Sequence, residues 1–126
     1  GFKCTRLFLN QGDKVSIAEK LAEQKKLTIA VEGVTFSARR ATVEEFARYA
    51  MDRVSDAEVA RIHVTGWDGV KESDLLDDGG KDAVPYDRAL FEQAIGDKPD
   101  WYAEIAKQVM DHAMAYLRKK AENEKK

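Results

Sequence analysis

Leu27-Thr28-Ile29-Ala30-Val31-Glu32-Gly33-Val34-Thr35-Phe36-Ser37-Ala38 is the stretch whose reading sets the fold. Apolar and β-branched residues flank Glu32-Gly33 on both sides, so a two-residue loop there places Val31 opposite Val34 and Ile29 opposite Phe36. One side of the ribbon is then apolar, and Thr28, Thr35 and Ser37 lie on the other. Two strands alone are marginal in water. The ribbon must lean on helices or pair with the edge of another chain.

Helix signals surround it. Ser16-Ile17-Ala18-Glu19, Thr42-Val43-Glu44-Glu45 and Ser55-Asp56-Ala57-Glu58 each have the Ser/Thr-x-x-Glu form of a capping box. The first predicts a helix from Ile17 to Lys25 with Ile17, Leu21 and Ala22 inward. The second predicts one from Val43 to about Val54, with Val43, Phe46, Ala47, Ala50 and Val54 on one stripe. The third opens a helix to about Val64. Ile62 and Val64 also alternate with His63 and Thr65 as in a strand, but the explicit cap favours helix.

Residues 66–84 carry turns and acids, including Gly66-Trp67-Asp68-Gly69 and Asp77-Asp78-Gly79-Gly80, and read as one long acidic loop. A helix from about Asp87 to Ile95 stops at Gly96. Asp97 then caps the last helix, with Pro99 in its first turn. From Pro99 to Glu122 that helix would be about 36 Å long. Tyr102, Ala106, Val109, Ala113 and Tyr116 form a seam along it, widened by Ile105, Met110 and Leu117. Residues 118–126 are polar throughout and read as a fraying tail. The expected architecture is α+β and predominantly α-helical: an N-terminal β-hairpin packed on four to five helices, with a long C-terminal helix.

Composition narrows the function. The 126 residues are 44% hydrophobic and 35% charged, which fits a single domain over 1–126, with residues 1–6 read as a cloning remnant or a disordered end. The only cysteine is Cys4, so no internal disulfide forms. No run of about 20 apolar residues is present, and Leu7-Phe8-Leu9 is too short for a signal peptide's apolar region. The expectation is a soluble protein in a reducing cytosol with no membrane partner.

Net charge is −2, against a generic nucleic-acid binder. That total conceals a pattern: residues 1–65 carry net +2, residues 66–100 net −6 and residues 101–126 net +2. An acidic middle between basic ends permits head-to-tail attraction between copies.

Catalytic and cofactor motifs are missing. Cys4, His63 and His112 have no zinc-ligand spacing. Aligning Gly79 with the glycine of a calcium loop puts Leu76 and Pro85 where ligands belong. Gly79-Gly80-Lys81 is followed by Asp82, and Leu75 stands where a phosphate loop has its first glycine. No cofactor and no enzyme activity is expected. Arg39-Arg40 and the terminal lysines are the best candidates for phosphate contact, yet they lack interleaved aromatics. Trp67, between turn residues, reads either as a lid packed on the core or as an exposed anchor at an interface.

The order of features resembles a known family. A short ribbon, a helix at Val43-Glu44-Glu45-Phe46, a next helix leading into Val64-Thr65-Gly66-Trp67-Asp68-Gly69-Val70, an acidic stretch, and Val84-Pro85-Tyr86-Asp87 opening a final helical pair are similar to tail assembly chaperones of long-tailed, lambda-like, non-contractile bacteriophages. The resemblance covers about residues 27–117. It implies a cytoplasmic phage or prophage protein that binds the long tape measure protein, recruits tail tube subunits, and is absent from the mature virion. Such proteins are often made in two lengths by a ribosomal frameshift, and Lys119-Lys120 and Glu124-Lys125-Lys126 suit A-rich slippery codons. Partners expected on this reading are the tape measure protein, the tail tube protein and further copies of the chain. Trp67, Tyr102, Ile105, Val109, Met110 and Tyr116 are the expected contact residues. The alternatives are a structural or completion protein of the phage tail or head, and a small nucleic-acid-binding regulator.

Overall fold

A computed structural model describes residues 16–124. Among them six helices accompany a three-stranded antiparallel sheet of order β1-β2-β3, an α+β fold dominated by helix and ending in a long one. The helical segment α1 covers residues 16–24 and leads into β1 (Lys26–Val31) and β2 (Val34–Arg39). The hairpin has the expected register, with Ile29 opposite Phe36 and Val31 opposite Val34. Glu32 and Gly33 both take positive φ, 48° and 85°, as a type I′ turn requires. Leu27, Ile29, Val31, Val34, Phe36 and Ala38 are buried, so the predicted apolar side is the core side.

What covers the ribbon's free edge corrects the sequence reading. The Ser55 hydroxyl caps α3 (Asp56–His63) by accepting from the Glu58 N–H, but the helix stops at His63 and Val64 enters β3 (Val64–Asp68) at once. β3 pairs with β2, setting Trp67 opposite Phe36. Thr65 is left without an opposite residue between the Ser37–Gly66 and Ala38–Val64 pairs, a bulge that absorbs the abrupt switch from helix. The alternation at Ile62 and Val64 was thus a strand signal from Val64 onward. The ribbon gains its third strand from within the chain.

The 66–84 acidic loop is also more structured than expected. Gly69 turns with φ +85°, and a Cβ on it would stand 2.9 Å from the Gly33 carbonyl oxygen, so β3 leaves the sheet against the hairpin turn. Val70 is buried, and the Val84 N–H donates to its carbonyl at 2.8 Å. Lys71 bridges Ala83, the short helix α4 (Glu72–Leu75) follows, and Ser73 N–H donates to Gly80 O. The acids therefore ride on a closed stem.

α2 (Val43–Asp52) begins with the Thr42 capping box and ends at Arg53, whose positive φ terminates it short of Val54. Its inward residues are Tyr49 and the half-buried Phe46; Val43, Ala47 and Ala50 of the expected stripe are exposed. The expected inward face of α1 fails similarly, because Ile17, Leu21 and Ala22 are all exposed.

α5 (Arg88–Ile95) is capped by Asp87, as read. Arg88 does a further job: its guanidinium donates to the carbonyl oxygens of Arg61 and Val64, satisfying acceptors that the end of α3 would leave unpaired. α6 (Pro99–Glu124) runs about 39 Å. Its first turn closes on the Lys98 carbonyl, so Lys98 rather than Asp97 holds the cap position, with Pro99 where its missing N–H costs nothing. The helix continues to Glu124, into the segment read as a fraying polar tail, because Arg, Lys, Ala and Glu are good helix formers.

α6 packs along α3 and across β1, with α2 and α5 beside it. Phe36 is the centre of this packing. Its ring meets Trp101 at 5.1 Å and Phe91 at 6.3 Å, and Trp67 meets Tyr86 and Phe91 at 5.3 and 6.1 Å. No helix among the described residues is long and apolar enough to cross a membrane.

Candidate functional site

The six expected contact residues do not share a surface. Ile105 and Val109 are fully buried in the chain's own core, because α3 and the sheet cover the seam that a partner was expected to meet. Trp67 is also buried, and its indole N–H donates to Val84 O at 2.7 Å, tying the stem of the acidic loop to the sheet. Of its two readings, the lid on the core is the one the structure takes. Tyr102 and Met110 are half-buried at the edge of the core. Only Tyr116 of the six is exposed; Met114, two residues before it and on the opposite side of the helix, is exposed as well.

Ala113 is the last fully buried residue of α6 and Leu117 the last half-buried one, so the exposed end, residues 118–124, extends past the core by about 10 Å. Tyr116 anchors this projecting part. The Arg40 guanidinium lies 4.2 Å from its ring centroid and donates one hydrogen bond, to Ala41 O at 3.0 Å. Arg40, Tyr116, Lys119, Lys120, Asn123 and Gln24 line a groove of about 400 Å³. Among the described residues three cations and no carboxylate border it.

Arg40's neighbour has a different fate. Arg39 forms a two-pronged pair with Glu45, 2.8 and 3.0 Å, so it is not available as a phosphate contact. Glu45 also accepts from the Thr42 N–H as part of the α2 cap. The Arg39 hydrogen bonds, chiefly, hold the Glu45 carboxyl down to about 2. Behind this pair sits His63, with no exposed surface. Its Nδ1 lies 3.0 Å from Arg39 O and its Nε2 2.8 Å from the Tyr49 hydroxyl. The Arg39 carbonyl can only accept, so Nδ1 carries the proton and Nε2 accepts from Tyr49. Burial, chiefly, with help from the Arg39 charge, lowers His63 to about 4. Both ring nitrogens are spent, and His63 presents no lone pair to a solute.

The opposite end of the molecule is acidic. Glu32 at the hairpin tip, Asp74, Asp97 and Asp100 line a concavity of about 230 Å³ with Lys98, Pro99 and Trp101. Asp77 and Asp78 are exposed on the neighbouring stem. Sequence reading identified the acids and the basic ends but not the groove, since Arg40 and Tyr116 are far apart in the chain and no local pattern joins them. No protein-family model, curated protein or solved structure matches the chain.

Proposed function

We propose that this chain is a non-catalytic tail assembly chaperone of a long-tailed phage, which binds the tape measure protein and brings tail tube subunits to it. The order of motifs over residues 27–117 motivates the family. The observation that carries the mechanism is the exposed end of α6: a stiff helix that carries Met114 and Tyr116, on opposite sides, where it leaves the core and is available to a long helical client. Exposed Ile17 and Leu21 on α1 and Met51 on α2 add adaptable apolar contacts. A client-coating protein works in many copies in the host cytoplasm and leaves before the virion is complete.

Mass spectrometry of an induced lysate and of purified virions tests this. The chain is expected in the lysate, in complexes with the tape measure protein, and absent from virions. Stoichiometric presence in virions would instead make it a structural or completion protein.

A further inference from the structure

The charges of this molecule are separated along its length. At one end of α6 stand Glu32, Asp97 and Asp100, with Asp77 and Asp78 on the stem beside them, all exposed and none in an ion pair among the described residues. At the other end, Arg40, Lys119 and Lys120 face the groove, and none of them has a carboxylate partner among the described residues either. Arg40 is only 8% exposed and, among the described residues, donates a single hydrogen bond while its guanidinium lies over the Tyr116 ring.

The two ends cannot compensate each other within one chain. From Asp100 to Lys119 along α6 is about 28 Å, well beyond the screening length of about 8 Å at physiological salt. A second copy can bring them together. We propose that the Arg40–Tyr116–Lys119–Lys120 groove receives the acidic end of another copy, giving a head-to-tail contact. Because the two surfaces differ, the contact is heterologous and leaves a free groove and a free acidic end on every pair, so copies add in a row. This deepens the functional reading above and rests on it for the need for many copies; the charges themselves are independent of any client.

Sedimentation velocity of the full chain over a range of protein and salt concentrations tests the contact, using Lys119→Glu/Lys120→Glu and Asp77→Lys/Asp78→Lys. These four residues are exposed, and circular dichroism checks that each variant is folded. Wild type is expected to associate at low salt and to dissociate as salt rises. Each double variant alone should associate at least tenfold more weakly, and mixing the two should restore association, because reversed groove then meets reversed acidic end. A wild type that stays monomeric at low salt, association indifferent to both variants, or retention on DNA in place of self-association would each overturn the proposal. A monomer that still solubilises the tape measure protein overturns this contact alone, whereas associating copies that leave it insoluble overturn the chaperone reading alone.

Discussion

Phe36→Ala is expected to lower the free energy of unfolding by about 3–5 kcal/mol, the range for truncating a buried aromatic. Phe36 stands in the middle of the central strand with no exposed surface, opposite Trp67 and in contact with Phe91 and Trp101. Truncation therefore opens a cavity bounded by the sheet, α5 and α6. Rings of this size cannot collapse into the space without breaking their edge-on geometry. Since domains of this size are stable by only about 5–15 kcal/mol, the variant should be partly unfolded at growth temperature. Urea denaturation followed by tryptophan fluorescence measures the effect, with a lowered midpoint and an unchanged slope expected. A loss below about 1 kcal/mol would mean that this aromatic cluster is not the centre of the core.

Stability should also fall on mild acidification, and His63 is the reason. The folded chain keeps His63 neutral down to about 4, against an ordinary value of 6.5. Between those values the unfolded chain takes up a proton that the folded chain refuses. The stability linked to His63 is therefore whole above pH 6.5 and is lost as pH falls toward 4, by at most about 3 kcal/mol. Glu45 continues the decline in a lower window. Its folded value of about 2 lies below the ordinary 4.5, so its contribution is whole above 4.5 and is lost as pH falls toward 2.

His63→Leu separates the two. At pH about 7.5 it should cost about 1–3 kcal/mol, since the Arg39 carbonyl loses its donor and the Tyr49 hydroxyl keeps only the long 3.4 Å contact to Glu45. Between pH about 6.5 and about 5, where only His63 titrates in this network, the variant's stability should be flat while that of wild type declines. Urea midpoints at the two ends of that interval measure the difference. A variant with the wild-type pH dependence would place the acid sensitivity elsewhere.

Local signals in this sequence translate directly into structure. The Glu32-Gly33 turn fixes the hairpin register, and Thr42, Ser55 and Asp87 each accept the backbone N–H that a cap residue should. Signals that depend on distant partners are silent. β3 is strand because β2 offers it an edge nearly thirty positions earlier, and that pairing outweighs the helix opened by Ser55. Tyr49 rather than Ala47 or Ala50 turns inward because a buried His63 waits for its hydroxyl, a contact no helical periodicity encodes. Trp101 was passed over beside the seam residues, although it seals the sheet's centre. The contact surface suffered most. Ile105 and Val109 have the pattern of an interface helix, but the interface is with the chain's own α3 and sheet.

What remains on the outside is a polarised molecule with a projecting helical arm. In the proposed function that arm meets the client while the charged ends align the copies. Co-expression of the chain with the tape measure protein that the proposed function assigns to it, followed by separation of soluble from pelleted material, tests the central claim most directly. The account predicts that the tape measure protein is soluble and co-purifies with the full chain, and is mostly pelleted when Met114→Glu/Tyr116→Glu, checked to be folded, takes its place. A tape measure protein that stays insoluble beside the folded wild-type chain would contradict it.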